Sequence, residues 1–489
     1  MFVEDFKRDF YETLHGKPVL IMVNHDVDAV CATRILIYLL EADNIRYSLL
    51  SIKNMAEYIK SFNSHCNAVK NIILINFGAN FDAFDVVECD EDKSIFIIDN
   101  HRPVDVNNIY REQTKLLIDP NSCKNVPNYE ELFRESDDED TDERRKWAMD
   151  RHTALFKYNQ FSYFDESTAF TLFNYAWKLS KDNYELLWLA MVGVSDLHIN
   201  AKIDKQKFKQ MSDALKGHLS RLKHIQNHAM RKSIEISYTK DLQLVLYRHW
   251  TLFESFKHTL YTMCTFQVWN VKGYKRMKEF FAEVGIPLVQ CKQKYFAMDL
   301  EFRQHSQQWI KDLCKKYKID DIIGDSFVGS RGFKFKYNSD DVAYGVKAIL
   351  ESPNNEMPHS EKFLKALDAL SSKNVDILQD GIDWSRLQFS AIWKQVKASI
   401  EMYSVNHTDP FMHAVIQQSA PDAKFFSNPG CLLTLARYIL HSFVATKRKR
   451  SYSIKPLVLI ATDLTQPQYV IAVGIPPFAE KSTSNFFGQ

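Results

Sequence analysis

Polar residues that could form a metal centre follow three short apolar runs in the first hundred residues. The runs are 19–23, 72–75 and 95–98, and their length and Ile and Val content are typical of strands buried on both faces of a parallel sheet. Because ligands bind beyond the carboxyl ends of parallel strands, we expect the residues after the three runs to converge on one crevice. These residues are Asp26, Asp28, Asn76, Asp99, Asn100 and His101.

The D-x-D spacing of Asp26 and Asp28 is compatible with two kinds of chemistry. With acidic or His residues from neighbouring strand ends, the pair would form the oxygen-rich ligand set that suits two manganese or magnesium ions. Two such ions can activate a water and neutralise charge on a phosphate. Asp196, which follows a later apolar segment, is a candidate for a further carboxylate. The same spacing is equally typical of an aspartate that caps the helix predicted at 27–40, so both interpretations stay open.

The composition is that of a folded, nearly neutral chain. Of the 489 residues, 45% are hydrophobic, enough to bury a large core over about three domains. The net charge of +1, from 62 basic and 61 acidic residues, gives no overall sign of nucleic-acid binding, so any such role must depend on local patches. The eight cysteines include no C-x-x-C pair, which disfavours a zinc site or a disulfide framework and favours a reducing compartment. No apolar run approaches roughly 20 residues, so we expect no membrane span.

Alternating strand and helix patterns over residues 1–130 predict a parallel α/β sheet with right-handed connections. A helix is predicted at 2–14, before the first strand. Residues 240–375 show mostly helical patterns, and the last part of the chain returns to mixed structure. We therefore predict an α/β protein in which a helical insertion separates a parallel-sheet domain from a smaller C-terminal α/β domain. The three predicted regions are 1–235, 236–375 and 376–489.

Four charged segments each have more than one interpretation. The acidic run 135–143, in a predicted linker near 135–146, is either a solvated loop or a docking or phosphorylation segment. The basic stretch 202–232 is either a solvated helix face or a surface along phosphates. The alternating aromatic and basic residues at 333–336 suit single-stranded nucleic acid or an amphipathic strand, and the cluster 447–450 suits nuclear localisation, a phosphate contact or a helix C-terminus. The candidate DNA-binding side chains are Lys334, Lys336, Lys447, Arg448, Lys449 and Arg450.

Several motifs carry a resemblance to known families. VNHDVDAV, ILINFGAN, IIDNHRP and VGVSDLH occur in the order of the motifs of the DHH phosphoesterase superfamily, which includes the RecJ nucleases. The opening MFVEDF, together with DNHRPV, YRHW, AMD, AVGIPP and the terminal NFFG, resembles more closely the cell division control protein 45 family, a RecJ-like component of the eukaryotic replicative helicase. This likeness runs over nearly the whole chain.

The resemblance implies the fold but also a loss of catalysis. Active superfamily members have an aspartate where this chain has Asn76, and a histidine where it has Asn100. Even changes in the residues that support metal ligands cost about 10–100-fold in metal affinity or activity, so losing ligands themselves should cost more. We therefore expect no nuclease activity, no stable metal cluster and no cofactor. The retained motif residues are then interpreted as hydrogen-bonding strand ends and capping helices: Asp26, Asp28, Asp99, His101 and Asp196.

By resemblance, the expected function is that of a non-catalytic scaffold in the nucleus. It would join the minichromosome maintenance hexamer and the GINS complex in the helicase that acts in initiation and elongation of DNA replication, with contacts to single-stranded or forked DNA and none to a membrane. In that interpretation 1–235 is a DHH-like domain, 236–375 a partner-interaction region and 376–489 a DHH-associated domain. Two other hypotheses are an active manganese-dependent single-strand exonuclease or phosphoesterase, and a stand-alone single-strand-binding module.

Overall fold

The chain divides into two compact units, Met1–Ala229 and Met230–Ala479. The predicted boundary between 375 and 376 inside the second unit stays a prediction. No helix among the residues that the structure describes is long and apolar enough to cross a membrane. Lys334, Arg448, Lys449, Arg450 and most of the acidic run lie outside the described residues. The computed structural model describes residues 1–66, 69–85, 87, 93–133, 142–225, 234–317, 319, 322–331, 335–353, 357–420, 422–447, 455–464 and 468–477.

The first unit is built on the predicted parallel sheet, which is confirmed. Over the described residues its five strands run in the order β2-β1-β3-β4-β6, and each neighbouring pair is parallel. Ile21 of β1 lies opposite Leu49 on one side and Ile73 on the other, which fixes the register. A small antiparallel pair, β5 with β7, lies apart from this sheet. The strands are β1 (Val19–Asn24), β2 (Tyr47–Ile52), β3 (Asn71–Ile75), β4 (Ser94–Ile98), β5 (His101–Arg102), β6 (Thr114–Leu116) and β7 (Tyr163–Phe164).

Helices cover both faces of this sheet because its central strands are apolar on both sides. Leu20 and Met22 of β1 belong to a core cluster with Tyr58 and Phe62 of helix α2. Alternate residues of a strand point to opposite faces, so Ile21 faces the other side, where helix α1 packs. The helices of this unit are α1 (Val27–Ala42), α2 (Met55–His65), α3 (Val106–Tyr110), α4 (Tyr129–Leu132), α5 (Asp142–Asn159), α6 (Thr168–Lys178), α7 (Tyr184–Ile199) and α8 (Lys205–Ile225).

The predicted helix at 2–14 is wrong over its first residues. Phe2 pairs in parallel with Leu116, and the amide of Val3 donates to the Leu116 carbonyl, so the chain begins extended beside β6. A short π-helical turn follows at Phe6–Tyr11, and its N-cap Asp5 accepts hydrogen bonds from two backbone amides. Pairing with a distant strand thus overrides the local helical pattern, which the sequence alone does not reveal.

The second unit contains two further sheets among its described residues. One is antiparallel, in the order β10-β9-β8; the other runs β11-β12-β13-β14, with a parallel pair at its centre. The sequence also predicts strands at 411–417, 456–461 and 469–473, and the observed strands match these to within two residues. The mostly helical prediction for 240–375 missed β8 and β9, whereas β10 agrees with the amphipathic-strand interpretation of 333–336. The strands are β8 (Glu235–Leu242), β9 (Ile323–Arg331), β10 (Phe335–Asn338), β11 (Asn406–Thr408), β12 (Phe411–Ile416), β13 (Leu457–Thr462) and β14 (Val470–Ile475).

Helices form most of the rest of the second unit. α14 packs extensively against α16, and α17 packs against α16, β13 and β14. The helices are α9 (Leu252–His258), α10 (Leu260–Phe266), α11 (Val271–Val284), α12 (Leu288–Cys291), α13 (Leu300–Cys314), α14 (Ser339–Leu350), α15 (His359–Ala369), α16 (Val375–Glu401) and α17 (Pro429–Thr446).

The YRHW motif contributes to a buried polar cluster beside α14. Asp341 Oδ2 lies 3.6 Å from His249 Nε2, a separation too long for a hydrogen bond. Neither atom has a hydrogen-bond partner among the residues that the structure describes. Burial raises the pKa of Asp341 to about 8, against the opposing charge of Arg248. Burial and the charges of Arg248 and Arg386 lower the pKa of His249 to about 4. This contact therefore joins a carboxylic acid to a neutral imidazole at pH 7, and it is not an ion pair.

Replacing Asp341 with asparagine should remove a loss of folding stability that the wild type undergoes as the pH rises. The unfolded chain releases the Asp341 proton near pH 4 and the folded chain holds it to about pH 8, so this residue's contribution to stability falls as the pH rises through that window. Relative to Asp341→Asn, the wild type should lose up to about 1.4 kcal/mol of unfolding free energy per pH unit. Urea unfolding between about pH 5 and about pH 7 measures the difference.

The matched control for this experiment is Asp368→Asn, whose carboxylate is exposed on α15. Its difference from the wild type should stay constant over the same pH range. A constant difference for Asp341→Asn as well would contradict the protonated state inferred for the Asp341 side chain.

Candidate functional site

The carboxyl ends of β1, β3 and β4 bring the first group of predicted residues together. Asp26 is the N-cap of α1, and its Oδ1 accepts a hydrogen bond from the Ala29 amide at 2.7 Å. The Asn24 side chain donates to Asp26 Oδ2 at 3.1 Å and to the Asn76 carbonyl at 3.0 Å. The turn after β1 and the turn after β3 are therefore joined directly, and Asp26 fulfils the capping role as well as facing the crevice.

Asp28 is the most completely enclosed acidic group of the crevice, with no exposed surface. Its Oδ1 accepts hydrogen bonds from the Ser167 hydroxyl (2.5 Å) and the Ala169 amide (3.1 Å), both at the N-terminus of α6. Its Oδ2 accepts a third from the Thr168 amide at 2.8 Å. Burial and the neighbouring charge of Asp26 raise the pKa of Asp28, and these donors oppose the shift. The positive end of the α6 dipole favours a carboxylate at this position.

Asn76 connects the two aspartates. Its Nδ2 lies 3.0 and 3.2 Å from the two oxygens of Asp26, and 3.3 Å from Oδ2 of Asp28. Its Oδ1 accepts a hydrogen bond from the Thr168 hydroxyl, which fixes the orientation of the amide. The backbone of Asn76 is left-handed, with φ of 59°, a conformation that asparagine tolerates better than most residues. A neutral NH₂ group thus lies between two carboxylates.

Asn100 directs a second amide at the same carboxylate. Its Nδ2 donates to Asp28 Oδ2 at 3.0 Å, and its own Oδ1 is buried with no hydrogen-bond partner in the described part of the chain. The carbonyl of Asn100 accepts a hydrogen bond from the Asp165 amide at 2.7 Å, which links β4 to the segment before α6. Asp28 consequently accepts five hydrogen bonds, two from asparagine amides and three from the start of α6.

Asp99 and His101 form a separate pair beside this cluster. The Nδ1 of His101 lies 2.6 Å from Asp99 Oδ1, and Asp99 Oδ2 accepts from the Ala79 amide at 3.0 Å. Burial raises the pKa of Asp99, but the charge and hydrogen bonds of His101 outweigh burial and hold the pKa below its usual value. The imidazole packs against Phe164, with 28% of its side chain exposed. The Asp99 carboxylate therefore orients both the turn after β4 and the His101 imidazole.

Asp196 lies within helix α7. It is 2% exposed and accepts a hydrogen bond from Asn200 Nδ2 at 2.8 Å. Burial raises the pKa of the Cys31 thiol, and the charges of Asp28, Asp196 and Asp26 raise it further, which places Asp196 near α1. Among the residues that the structure describes, no group of three or more His, Cys, Asp or Glu side chains has a geometry that could hold a metal ion.

The candidate DNA-binding residues within the described part of the chain belong to the second unit. Lys336 is exposed on β10. Lys447 is the C-cap of α17, with its ammonium 4.7 Å from the centre of the Phe443 ring. A role for either in DNA binding stays a prediction.

Sequence reasoning missed the residues that close the crevice from the other side. Ser167 is recognisable as the N-cap of α6, but nothing local indicates that its hydroxyl would bond Asp28. Gly193 is the second missed residue, and an isolated glycine inside an apolar helix is the signal that could have found it. A Cβ at Gly193 would lie 2.5 Å from Asp28 Oδ1, 2.8 Å from the Ala169 Cβ and 2.9 Å from the Ser167 Oγ. Only glycine allows α7 to approach α1 and α6 this closely.

Replacing Gly193 with alanine should destabilise the first unit by about 1–3 kcal/mol, because the added methyl group overlaps atoms on both neighbouring helices. Gly217→Ala on α8 is the matched control, since a Cβ there meets nothing within 4 Å. The control should gain about 0.5–1 kcal/mol from helix propensity. Thermal or urea unfolding of both variants measures the difference, and a Gly193→Ala protein as stable as the Gly217→Ala protein would refute the packing account.

Comparison with known proteins identifies the family. The CDC45 family model matches residues 19–146 and 124–489. The cell division control protein 45 homologs of Mus musculus and Homo sapiens are each 35% identical to this chain, over 525 and 524 residues, covering 100% of it and 93% of each relative. The crystal structure of CDC45 from Entamoeba histolytica has the same fold, with a TM-score of 0.75 at 20% identity, covering 98% of this chain and 89% of that one. The chain therefore belongs to the cell division control protein 45 family.

Proposed function

We propose that this chain is a non-catalytic scaffold subunit of the eukaryotic replicative helicase. It would act in the nucleus with the minichromosome maintenance hexamer and the GINS complex, in initiation and elongation of DNA replication, and contact single-stranded or forked DNA. Family membership supports the role in DNA replication. The observation that carries the non-catalytic part is the Asn76 amide, which donates to both carboxylates of the D-x-D pair.

The amide of Asn76 takes the position in which a shared cation would be expected. A metal ion bridging Asp26 and Asp28 needs lone pairs from both carboxylates, and the Nδ2 hydrogens of Asn76 are directed at those lone pairs. Asparagine at this position also contributes no negative charge to balance a divalent ion. Binding a metal would therefore require hydrogen bonds to be broken without the electrostatic gain that an aspartate would supply.

The lone pairs of Asp28 are also occupied from the other side. Its five hydrogen-bond donors exceed the roughly four lone-pair positions of a carboxylate. Three of these donors belong to the α6 N-terminus, so a metal at Asp28 would compete with the contact that holds α6 against α1. Asp28 thus supports a structural role for the retained acid.

A nuclease assay tests the proposal against the alternative of an active manganese-dependent exonuclease. Purified full-length chain, incubated with Mn²⁺ and end-labelled single-stranded DNA, should leave the DNA intact. The Asp26→Ala variant serves as the control for a contaminating nuclease, because contamination would persist in it. Cleavage by the wild type that disappears in Asp26→Ala would overturn the scaffold proposal and establish the enzyme.

Replacing Asn76 with aspartate should make the stability of the folded state depend on a bound cation. In the presence of a chelator, a third carboxylate beside Asp26 and Asp28 should destabilise the fold by about 3 kcal/mol, since it leaves buried negative charge without a partner. Saturating Mn²⁺ should recover about 2–3 kcal/mol of this loss by binding the folded state only. Thermal unfolding with and without Mn²⁺ measures the recovery.

Asn76→Gly is the matched control for that variant, because glycine keeps the left-handed backbone but adds no carboxylate. Neither this control nor the wild type should respond to Mn²⁺ in unfolding experiments. An equal Mn²⁺ response of the wild type and Asn76→Asp would show that the asparagine does not block the site.

A pull-down from nuclear extract, with the full chain as bait, tests the proposed partners. The proposal expects subunits of the minichromosome maintenance hexamer and of GINS to co-purify. Recovery of neither, from extract of cells in DNA synthesis, would contradict the partner assignment without bearing on the nuclease result.

A further inference from the structure

Three large apolar side chains are exposed on one segment of the second unit. Val289 on α12, Phe296 in a 3₁₀ turn at Tyr295–Ala297 and Leu300 at the start of α13 are 71%, 49% and 57% exposed. We call these three residues the 289–300 surface. Single exposed apolar residues are common, but three within twelve positions on one ordered segment indicate an interaction site when they share a face.

Hydrogen bonds join the two ends of the segment that carries the 289–300 surface. The Gln290 amide donates to Asp299 Oδ2 at 2.7 Å, and the Asp299 backbone amide donates to Gln290 Oε1 at 3.2 Å, so the neighbours of Val289 and Leu300 are joined twice. Buried side chains between them, among them Tyr295 at 5% exposure, anchor the loop to the core. The surface is therefore preformed, which lowers the entropy cost of binding.

Basic side chains lie on the segment that carries the 289–300 surface and on the neighbouring helix α11, and the same segment carries the exposed carboxylates of Asp299 and Glu301. Arg303 donates to the Phe296 carbonyl at 3.2 Å, and Lys294, two residues before Phe296, is exposed. Lys292 lies 5.4 Å from the Phe253 ring centre, and Lys278 of α11 lies 4.7 Å from the ring of Tyr274, which itself packs on Phe253. The four cations are Lys278, Lys292, Lys294 and Arg303. Within the described residues, none of them lies within 4.0 Å of a carboxylate oxygen.

We propose that the 289–300 surface docks a short segment of a partner protein that combines aliphatic or aromatic side chains with carboxylates. The apolar residues would take the partner's hydrophobic side chains, and the cations of this segment and of α11 would pair with its acidic residues. This inference deepens the scaffold proposal by specifying the chemistry of one partner. Its test measures peptide binding and the scaffold test measures DNA cleavage, so the failure of one is distinguishable from the failure of the other.

The apolar side chains favour a protein segment over a nucleic acid. Bases bind single-strand platforms by stacking on aromatic rings, and Val289 and Leu300 present only aliphatic surface. The exposed aromatic ring of this surface is Phe296, too few rings for successive bases. An acidic amphipathic segment can use both the cations and the aliphatic centre, so it fits the whole surface.

Fluorescence anisotropy with the full chain tests the proposal. The probe is a fluorescein-labelled peptide of about 14 residues with Leu and Phe on one helical face and Glu elsewhere. It should bind saturably, and Leu300→Ser and Lys292→Glu should each weaken binding about fivefold or more, the loss expected for one interface contact. On α15 of the same unit, Leu364→Ser and Lys365→Glu are the matched controls and should leave the affinity unchanged; Leu364 is 50% exposed.

Two further probes decide against the alternatives. A peptide of the same composition with its apolar residues scattered around the helix should bind at least fivefold more weakly; equal binding would show attraction by charge alone and overturn the proposal. An oligothymidine of equal length should not displace the peptide. If the oligothymidine displaces the peptide from the wild type but not from Leu300→Ser or Lys292→Glu, the proposal is overturned. It is also overturned if the peptide shows no saturable binding.

Discussion

The first unit depends on the hydrogen bonding of one buried carboxylate. Asp28 brings a negative charge to the place where β1 passes into α1, and five donors from three other segments converge on it. A buried carboxylate without partners costs several kcal/mol, so these donors are a condition of the fold. The close packing around Asp28 also requires Gly193, since any larger residue at this position would displace α7 from α1 and α6.

The same arrangement is the basis on which we propose that this acidic crevice has no metal chemistry. Asn76 places hydrogen-bond donors between Asp26 and Asp28, and Asn100 adds a second amide to Asp28. Amides offer these carboxylates hydrogen bonds without adding charge, so the site is satisfied without a cation. Asp99 is instead paired with His101. In this account the functional surfaces of the protein lie elsewhere, as the exposed apolar and basic residues of the 289–300 surface illustrate.

The sequence predicted the strands β1, β3 and β4 of the parallel sheet and the position of the crevice, because short apolar runs are followed within three residues by Asp26, Asn76 and Asp99. It could not predict that Ser167, 139 residues from Asp28, closes the crevice, because such a contact depends on the packing of α6 and not on a local pattern. Strands β8 and β9 were missed for a related reason. Strand β8 is exposed at several positions and lacks an unbroken apolar alternation, so pairing with β9, some 90 residues later in the chain, decides its structure.

Anomalous diffraction tests the central claim most directly. Crystals of the wild-type chain, soaked in Mn²⁺ and measured at a wavelength near the manganese edge, would show any ion at the crevice. The account predicts no anomalous peak within coordination distance, about 2–2.5 Å, of the Asp26 and Asp28 carboxylates, with the Asn76 amide still between them. A peak at that position, with the Asn76 side chain turned away, would contradict the account.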